Sequence, residues 1–171
     1  MRSTLNFNSH WQFTKPGTAP VAVTLPHTWN AADGTDGGND YFRGICTYTK
    51  EFAAPAHADD EEVWLEFEGA AMTAVVTLND QELMRHAGGY STFRVNLTPA
   101  LAAQNTLTVT VDNSANRTVY PQKADFTFYG GLYRDVHILI VPHSHFALGN
   151  HGAPALRVTP EVSDDLHSAA V

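Results

Sequence analysis

The amino-acid sequence predicts an all-β fold, specifically an antiparallel two-sheet jelly-roll sandwich. Several segments alternate between apolar and polar residues, as strands with one wet and one dry face require. Eighteen aromatic residues, 12 Gly and 9 Pro are spread along the chain, a composition typical of many short strands joined by turns. Helical character is limited to one turn, so nothing favours alternating βαβ units.

The clearest alternation is in residues 106–112, where Leu107, Val109 and Val111 share one face. Residues 91–98 and 63–68 alternate in the same way, and residues 74–79 are apolar on both faces, as in a central strand. Further strands are predicted at residues 11–14, 21–25, 45–52, 82–85 and 132–141.

Two short connections have recognisable turn chemistry. Asn79 and Asp80 stand between apolar residues and predict a hairpin turn, because Asn and Asp tolerate left-handed backbone angles. Thr98 followed by Pro99 predicts a single helical turn, with Thr98 as its N-cap and Pro99 at the first helical position.

Charge and composition exclude several classes of partner. The formal net charge is −8, which argues against nucleic acid and anionic membrane surfaces. The apolar stretches are too short for a membrane-spanning helix. The first residues lack the apolar core of a signal peptide, so we expect a cytoplasmic chain. Cys46 is the only cysteine, which excludes an internal disulfide and a cysteine metal cluster.

The sequence divides into two regions. Residues 1–148 carry the predicted sandwich, with a surface loop expected at residues 30–40 because that stretch is rich in Asp and Gly. Residues 149–171 begin with Gly and Pro and then show one apolar alternation with little to pack against. They are interpreted as a linker and the first strand of a following domain, or as a disordered tail.

The most informative segment for function is residues 120–141. Asp125 lies among aromatic residues, including Tyr129, just before Gly130 and Gly131, which allow a sharp backbone excursion. Proteins hold sugars with aromatic faces beside a fixed carboxylate, so Asp125 and Tyr129 are candidate sugar-binding residues. The alternative is that Asp125 caps a turn and the aromatic residues belong to the core. The adjacent Arg134 and Asp135 are expected to compensate each other's charge.

No metal site is expected. His143 and His145 would share a strand face but have no third ligand nearby, and the aspartates of residues 30–40 lack the spacing of a calcium loop.

Eight segments resemble, in collinear order over residues 5–142, the N-terminal sugar-binding domain of family 2 glycoside hydrolases, which include β-galactosidases, β-glucuronidases and β-mannosidases. The segments are LPHTW (25–29), YFRG (41–44), YTKEF (48–52), LEFEGA (65–70), VTLND (76–80), HAGGYSTFRVNLT (86–98), NTLTVTVDN (105–113) and GGLYRDVHI (130–138). The resemblance implies a galactose-binding-like jelly roll, followed in the same polypeptide by an immunoglobulin-like domain and a catalytic TIM barrel.

The resemblance also implies that the full-length enzyme is a retaining glycosidase whose two catalytic glutamates lie on the barrel. None of the seven Glu residues in this chain follows an Asn, as the family's catalytic motif requires. The fragment is therefore expected to hold no catalytic residue and no cofactor, and to be inactive alone. Its expected partners are a sugar, the rest of its own polypeptide and, as a further option, other copies of the enzyme.

Residue roles follow from the same resemblance. In β-galactosidases of this family, an aspartate six residues before the GLYRDV-like signature contacts sugar hydroxyls, and counting back from Gly131 gives Asp125. Asn39 or Asp40 corresponds to a residue that the family projects from the loop before YFRG. These matches favour a β-galactoside as the substrate, with a β-glucuronidase or β-mannosidase as the alternative within the family.

Two readings outside this assignment stay open. A free-standing carbohydrate-binding module would bind sugar on an aromatic platform such as Trp29, Tyr41 or Tyr129. A purely structural sandwich would instead bind only protein.

Overall fold

The protein is described here by a computed structural model, which covers residues 2–33, 35, 41–121, 123, 125–149, 152–153 and 155–170. Its strands are β1 (Ser3–Asn6), β2 (Trp11–Thr14), β3 (Val21–Val23), β4 (Ile45–Ala53), β5 (Glu61–Phe67), β6 (Thr73–Leu78), β7 (Gln81–Ala87), β8 (Phe93–Asn96), β9 (Gln104–Asp112), β10 (Val136–Pro142), β11 (Glu161–Val162) and β12 (Ala169–Ala170). One turn of 3-10 helix spans Thr98–Ala100. These residues contain no helix with the length and apolar character needed to cross a membrane.

Ten of these strands form two antiparallel sheets that enclose one hydrophobic core. The six-stranded sheet has the order β3-β2-β4-β9-β6-β7, and the four-stranded sheet has the order β1-β10-β5-β8. The core cluster draws side chains from both sheets. The predicted all-β sandwich is therefore confirmed.

The predicted inward faces are also confirmed. The apolar side chains at alternate positions of residues 63–68, 91–98 and 106–112 are all buried. β6, predicted to be central, lies between β9 and β7. Asn79 and Asp80 both adopt positive φ angles, 49° and 65°, in the tight turn between β6 and β7.

One strand was missed and two local predictions were wrong, each for a physical reason. β1 was missed because all four of its side chains are exposed and show no alternation. β10 begins at Val136 rather than residue 132, because the preceding residues bond to loops instead: the Leu132 carbonyl accepts from the His27 N–H at 2.8 Å. Thr98 does not cap the short helix, since its hydroxyl accepts from the Val63 N–H at 2.9 Å.

The C-terminal region contains a two-stranded sheet of its own, formed by β11 and β12. Leu156 and Val158, the start of the predicted alternation, are exposed and lie outside these strands. The division into residues 1–148 and 149–171 stays a prediction.

An inward-facing lysine on β4 was not anticipated. Lys50 follows the buried Cys46 and Tyr48 on the same strand face and is itself only 8% exposed. Its ammonium donates to the carbonyls of Phe7 at 3.0 Å and Ser9 at 2.6 Å, and lies 3.7 Å from the centre of the Phe7 ring. Burial lowers the pKa of Lys50 to about 8.

Because of Lys50, the free energy of unfolding should depend on pH in the alkaline range. Between pH 8 and the ordinary lysine pKa of 10.5, the unfolded chain keeps a proton that the folded chain has released, so the free energy of unfolding rises with pH. In Lys50→Met this contribution is absent. Urea unfolding of both proteins at pH 7.5 and pH 10.5 should show the wild type gaining about 1–3 kcal/mol relative to the variant. An unchanged difference would mean that Lys50 titrates alike in both states.

Candidate functional site

The candidate site is built on the long connection between β9 and β10. Its described part nearest the signature glycines runs DFTFYGG over residues 125–131. Two completely buried asparagines, Asn30 and Asn113, form hydrogen bonds with the main chain of this segment. A loop anchored in this way presents its remaining side chains in a fixed arrangement.

The two asparagines meet at one main-chain oxygen. The carbonyl of Phe128 accepts from Asn30 Nδ2 at 3.0 Å and from Asn113 Nδ2 at 2.9 Å. Asn30 Oδ1 also accepts from the Gly130 N–H at 2.9 Å, and Asn113 Oδ1 accepts from the Gly44 N–H at 2.9 Å. Asn30 is about 100 residues earlier in the chain than the loop, and Gly44 is about 70 residues earlier than Asn113, which is why no local pattern indicates these bonds.

The two glycines let the loop pass close to the LPHTW segment. A Cβ on Gly130 would lie 2.0 Å from Trp29 Cζ2, so only glycine fits beneath that ring. Gly131 has a φ of 131° and exchanges backbone hydrogen bonds with Ala71. The predicted backbone excursion before the last long strand is therefore confirmed.

Arg43 of the YFRG segment completes the support. Its Nε donates to the Asn113 carbonyl at 2.8 Å, and its guanidinium lies 4.4 Å from the centre of the Phe128 ring. The Phe128 N–H donates to the Tyr41 hydroxyl. Two residues of this short segment thus hold Phe128: Arg43 contacts its ring, and Tyr41 accepts from its main chain.

An aromatic pocket opens beside this loop. It has a volume of about 360 Å³ and is lined by Ala71, Tyr90, Phe126, Thr127, Tyr129 and Tyr133. The lining residue Tyr133 donates its hydroxyl to the Gly89 carbonyl, and burial raises the pKa of this phenol. Four of the six lining residues are aromatic, so the pocket can offer ring faces to a ligand.

The predicted sugar-binding residues occupy different places. Asp125 is exposed, and its carboxylate forms no hydrogen bond or ion pair with another residue that the structure describes. Tyr129 is about half exposed and lines the pocket. Asn39 and Asp40 lie outside the described residues. Asp125 therefore meets the geometric requirement of an outward-facing carboxylate, and the roles of all four stay predictions.

Two expectations from the sequence are corrected here. Asn30, assigned to the surface loop at residues 30–40, is completely buried because its side chain anchors the site loop. Arg134 and Asp135 do not compensate each other: Arg134 Nη1 donates to the carbonyls of Glu68 and Tyr90, whereas Asp135 accepts from Asn8 Nδ2 at 2.8 Å. Successive residues point in different directions, so adjacent charges need not pair.

The three aromatic residues suggested as the platform of a free-standing module, Trp29, Tyr41 and Tyr129, differ in burial and position. Trp29 is half buried and stacks on Phe13, with ring centres 6.1 Å apart and planes at 17°. Tyr41 is 40% exposed and Tyr129 is 49% exposed. Of the three, Tyr129 is the one that lines the pocket.

The histidines His143 and His145 contact different partners just beyond β10. His143 Nδ1 lies 3.1 Å from Glu62 Oε1, and His145 Nδ1 lies 2.9 Å from the Pro142 carbonyl. The strand ends at Pro142, so the two-residue spacing does not place them on one continuous strand face.

The fold and this loop define a galactose-binding-like β-sandwich. Residues 42–158 match the family described as the glycosyl hydrolase 2 galactose-binding domain-like family, and the chain belongs to that family. The resemblance predicted from the sequence motifs is thereby confirmed.

The chain is similar to parts of longer proteins that are named as glycosidases. A β-glucuronidase of Bacteroides fragilis is 33% identical over 92% of this chain and 23% of its own length. A β-galactosidase of Thermoanaerobacter pseudethanolicus is 25% identical over 84% of this chain and 22% of its own. The crystal structure of an FMN-binding β-glucuronidase from Facaelibacterium prausnitzii L2-6 superposes with a TM-score of 0.88 at 40% identity, covering 96% of this chain and 26% of that one. The chain thus spans about a quarter of the length of these proteins.

Proposed function

We propose that this chain is the non-catalytic, N-terminal sandwich of a retaining family 2 β-glycosidase. In the full-length enzyme it would support the catalytic barrel and supply one wall of the sugar site. The observation that carries the proposal is the outward-facing carboxylate of Asp125, at the start of a loop fixed by two buried asparagines and beside an aromatic pocket. A carboxylate accepts hydrogen bonds from sugar hydroxyls, and ring faces stack on their CH groups.

Two sugars are candidates for the enzyme's glycone. A β-galactoside is favoured by Asp125, because a carboxylate binds neutral hydroxyls and repels a uronate group. A β-glucuronide is favoured by the similarity of the chain to two proteins named β-glucuronidase, at 33% and 40% identity, against 25% for the β-galactosidase described above. Rates with matched aryl β-galactosides and aryl β-glucuronides would distinguish the two.

The role of Asp125 is tested in the full-length enzyme. We expect Asp125→Asn to lower kcat/KM for the preferred aryl glycoside by about 10- to 100-fold, because the amide loses a charge-assisted hydrogen bond to the sugar. Asp59→Asn is the matched control, since Asp59 is another exposed aspartate, in the turn before β5. Unchanged kcat and KM in the Asp125 variant would show that the carboxylate does not contact substrate.

The rival function, a free-standing carbohydrate-binding module, predicts a different result for the chain alone. Calorimetry of the 171-residue chain with galactose, lactose and glucuronic acid should show no saturable binding, because one pocket wall buries too little of a sugar. Saturable binding that is lost in Tyr129→Ala would favour the module instead.

A further inference from the structure

A second cluster of polar side chains lies between β5 and β10, in the four-stranded sheet. Glu68 directly follows β5, Asp135 directly precedes β10, and His137 is the second residue of β10. The two strands are paired in antiparallel register, and the Glu68 N–H donates to the Asp135 carbonyl at 3.1 Å. One potential ligand atom from each of the three side chains lies within 4.8 Å of the other two.

His137 contributes to this cluster an imidazole with one ring nitrogen that no described residue bonds. Its Nδ1 is completely buried and has no hydrogen-bond partner among the residues that the structure describes. The nearest carboxylate oxygen, Glu68 Oε1, is 3.6 Å away, beyond hydrogen-bonding distance. A buried polar atom without a partner is costly, so a ligand at this position would relieve a real deficit.

The two carboxylates also lack a cation. Neither Glu68 nor Asp135 forms an ion pair with a lysine or arginine in the described part of the chain. The neighbouring Arg134 does not supply one, since its Nη1 is bonded to main-chain carbonyls, including that of Glu68 at 3.3 Å. Two carboxylates and an imidazole nitrogen therefore lie close together, with no lysine or arginine of the described residues paired to them.

Asp135 is fixed in orientation by a buried side chain. Asn8 Nδ2 donates to Asp135 Oδ1 at 2.8 Å, while Asn8 Oδ1 accepts from the Val136 N–H at 2.8 Å. Hydrogen-bonded support of this kind is what orients the ligands of metal sites in proteins. No residue in the described ranges donates a hydrogen bond to the other carboxylate oxygen, Oδ2, so this oxygen is available to coordinate.

We propose that Glu68, Asp135 and His137 bind a divalent metal ion of the zinc type. One imidazole nitrogen and two carboxylate oxygens are ligands that Zn²⁺ accepts, and three protein ligands leave a fourth position for water. The imidazole disfavours Ca²⁺ and Mg²⁺, which prefer oxygen ligands throughout. The site lies in the sandwich itself and does not depend on the proposed glycosidase function.

The test uses the 171-residue chain after removal of metals with a chelator. Calorimetric titration with ZnCl₂ at pH 7.5 should show one saturable site, and CaCl₂ and MgCl₂ should show none at the same concentrations. Glu68→Gln and His137→Gln should each weaken Zn²⁺ binding by at least about 10-fold. The Glu68 side chain makes no hydrogen bond with a described residue, so Glu68→Gln should leave the fold intact, which far-UV circular dichroism will verify.

The matched control is His143→Gln. It removes another histidine beside a glutamate of the same sheet, but one whose side chain is 81% exposed, and it should leave Zn²⁺ affinity unchanged. Nitrogen-15 NMR provides a readout independent of heat, because the Nδ1 resonance of His137 should shift on addition of ZnCl₂. The proposal is overturned by absence of saturable binding, by binding that survives both Glu68→Gln and His137→Gln, by loss of binding in His143→Gln, or by a preference for Ca²⁺.

Discussion

Replacing Gly131 with alanine should destabilise the sandwich by about 3–5 kcal/mol. The φ of 131° at this position is one that residues with a Cβ rarely adopt. The added Cβ would also lie 2.5 Å from the His27 carbonyl oxygen and 2.6 Å from the Tyr48 hydroxyl. The His27 main chain cannot easily move away, because its N–H is bonded to the Leu132 carbonyl one residue beyond the glycine.

Two other glycines serve as controls that distinguish the cost of backbone strain from the cost of steric overlap with the added Cβ. Gly17 has a φ of 78° and Gly149 has no positive φ, and a Cβ on either would meet no atom within 4 Å. We expect Gly17→Ala to cost about 1 kcal/mol from backbone strain alone, and Gly149→Ala to cost nothing measurable. Urea unfolding of the three variants measures the difference. A loss for Gly131→Ala no greater than that for Gly17→Ala would mean that the close approach to His27 is not tight.

Asn113→Ala is expected to cost about 3 kcal/mol, with the site loop losing its position at the same time. The side chain is completely buried, and its removal leaves the Gly44 N–H without its acceptor and takes one of two donors from the Phe128 carbonyl. Each buried group left unpaired costs about 1–3 kcal/mol. Asn116→Ala is the control, because the Asn116 side chain only closes a local turn with Thr118.

The shared acceptor predicts coupling between the two asparagines. Since Asn30 and Asn113 both donate to the Phe128 carbonyl, Asn30→Ala and Asn113→Ala should not be additive. We expect the free energy of unfolding of the double variant to differ from the sum of the single effects by about 1 kcal/mol or more. Strict additivity in urea unfolding would contradict a common anchor.

The strand faces could be predicted from the sequence because they depend on local alternation alone. Residues 106–112 show this most clearly, since each inward side chain is identified by its neighbours two positions away. β1 carries no such signal: its four side chains are exposed, and it pairs with β10, more than 130 residues later. Pairing over that distance is not encoded in any short window.

The residues of the candidate site also fall into two groups, those that the sequence indicates and those that it does not. Asp125 and Tyr129 were selected from their sequence surroundings and the family resemblance, and the structure leaves both accessible. Asn113 and Asn30 were missed because an asparagine in sequence more often indicates a turn than a buried anchor. Glu68 and His137 were missed because residues on two paired strands, here β5 and β10 with their adjoining residues, become neighbours only through the register of the sheet.

The anchor of the site loop is a main-chain oxygen, and this has an evolutionary consequence. Every residue type has a main-chain carbonyl, so the two asparagines can hold the loop whatever side chain stands at position 128. Substitutions of the exposed side chains of this loop can therefore change which ligand is preferred without removing the hydrogen bonds from Asn30 and Asn113. A single scaffold of this design is suited to diversification among enzymes that act on different substrates.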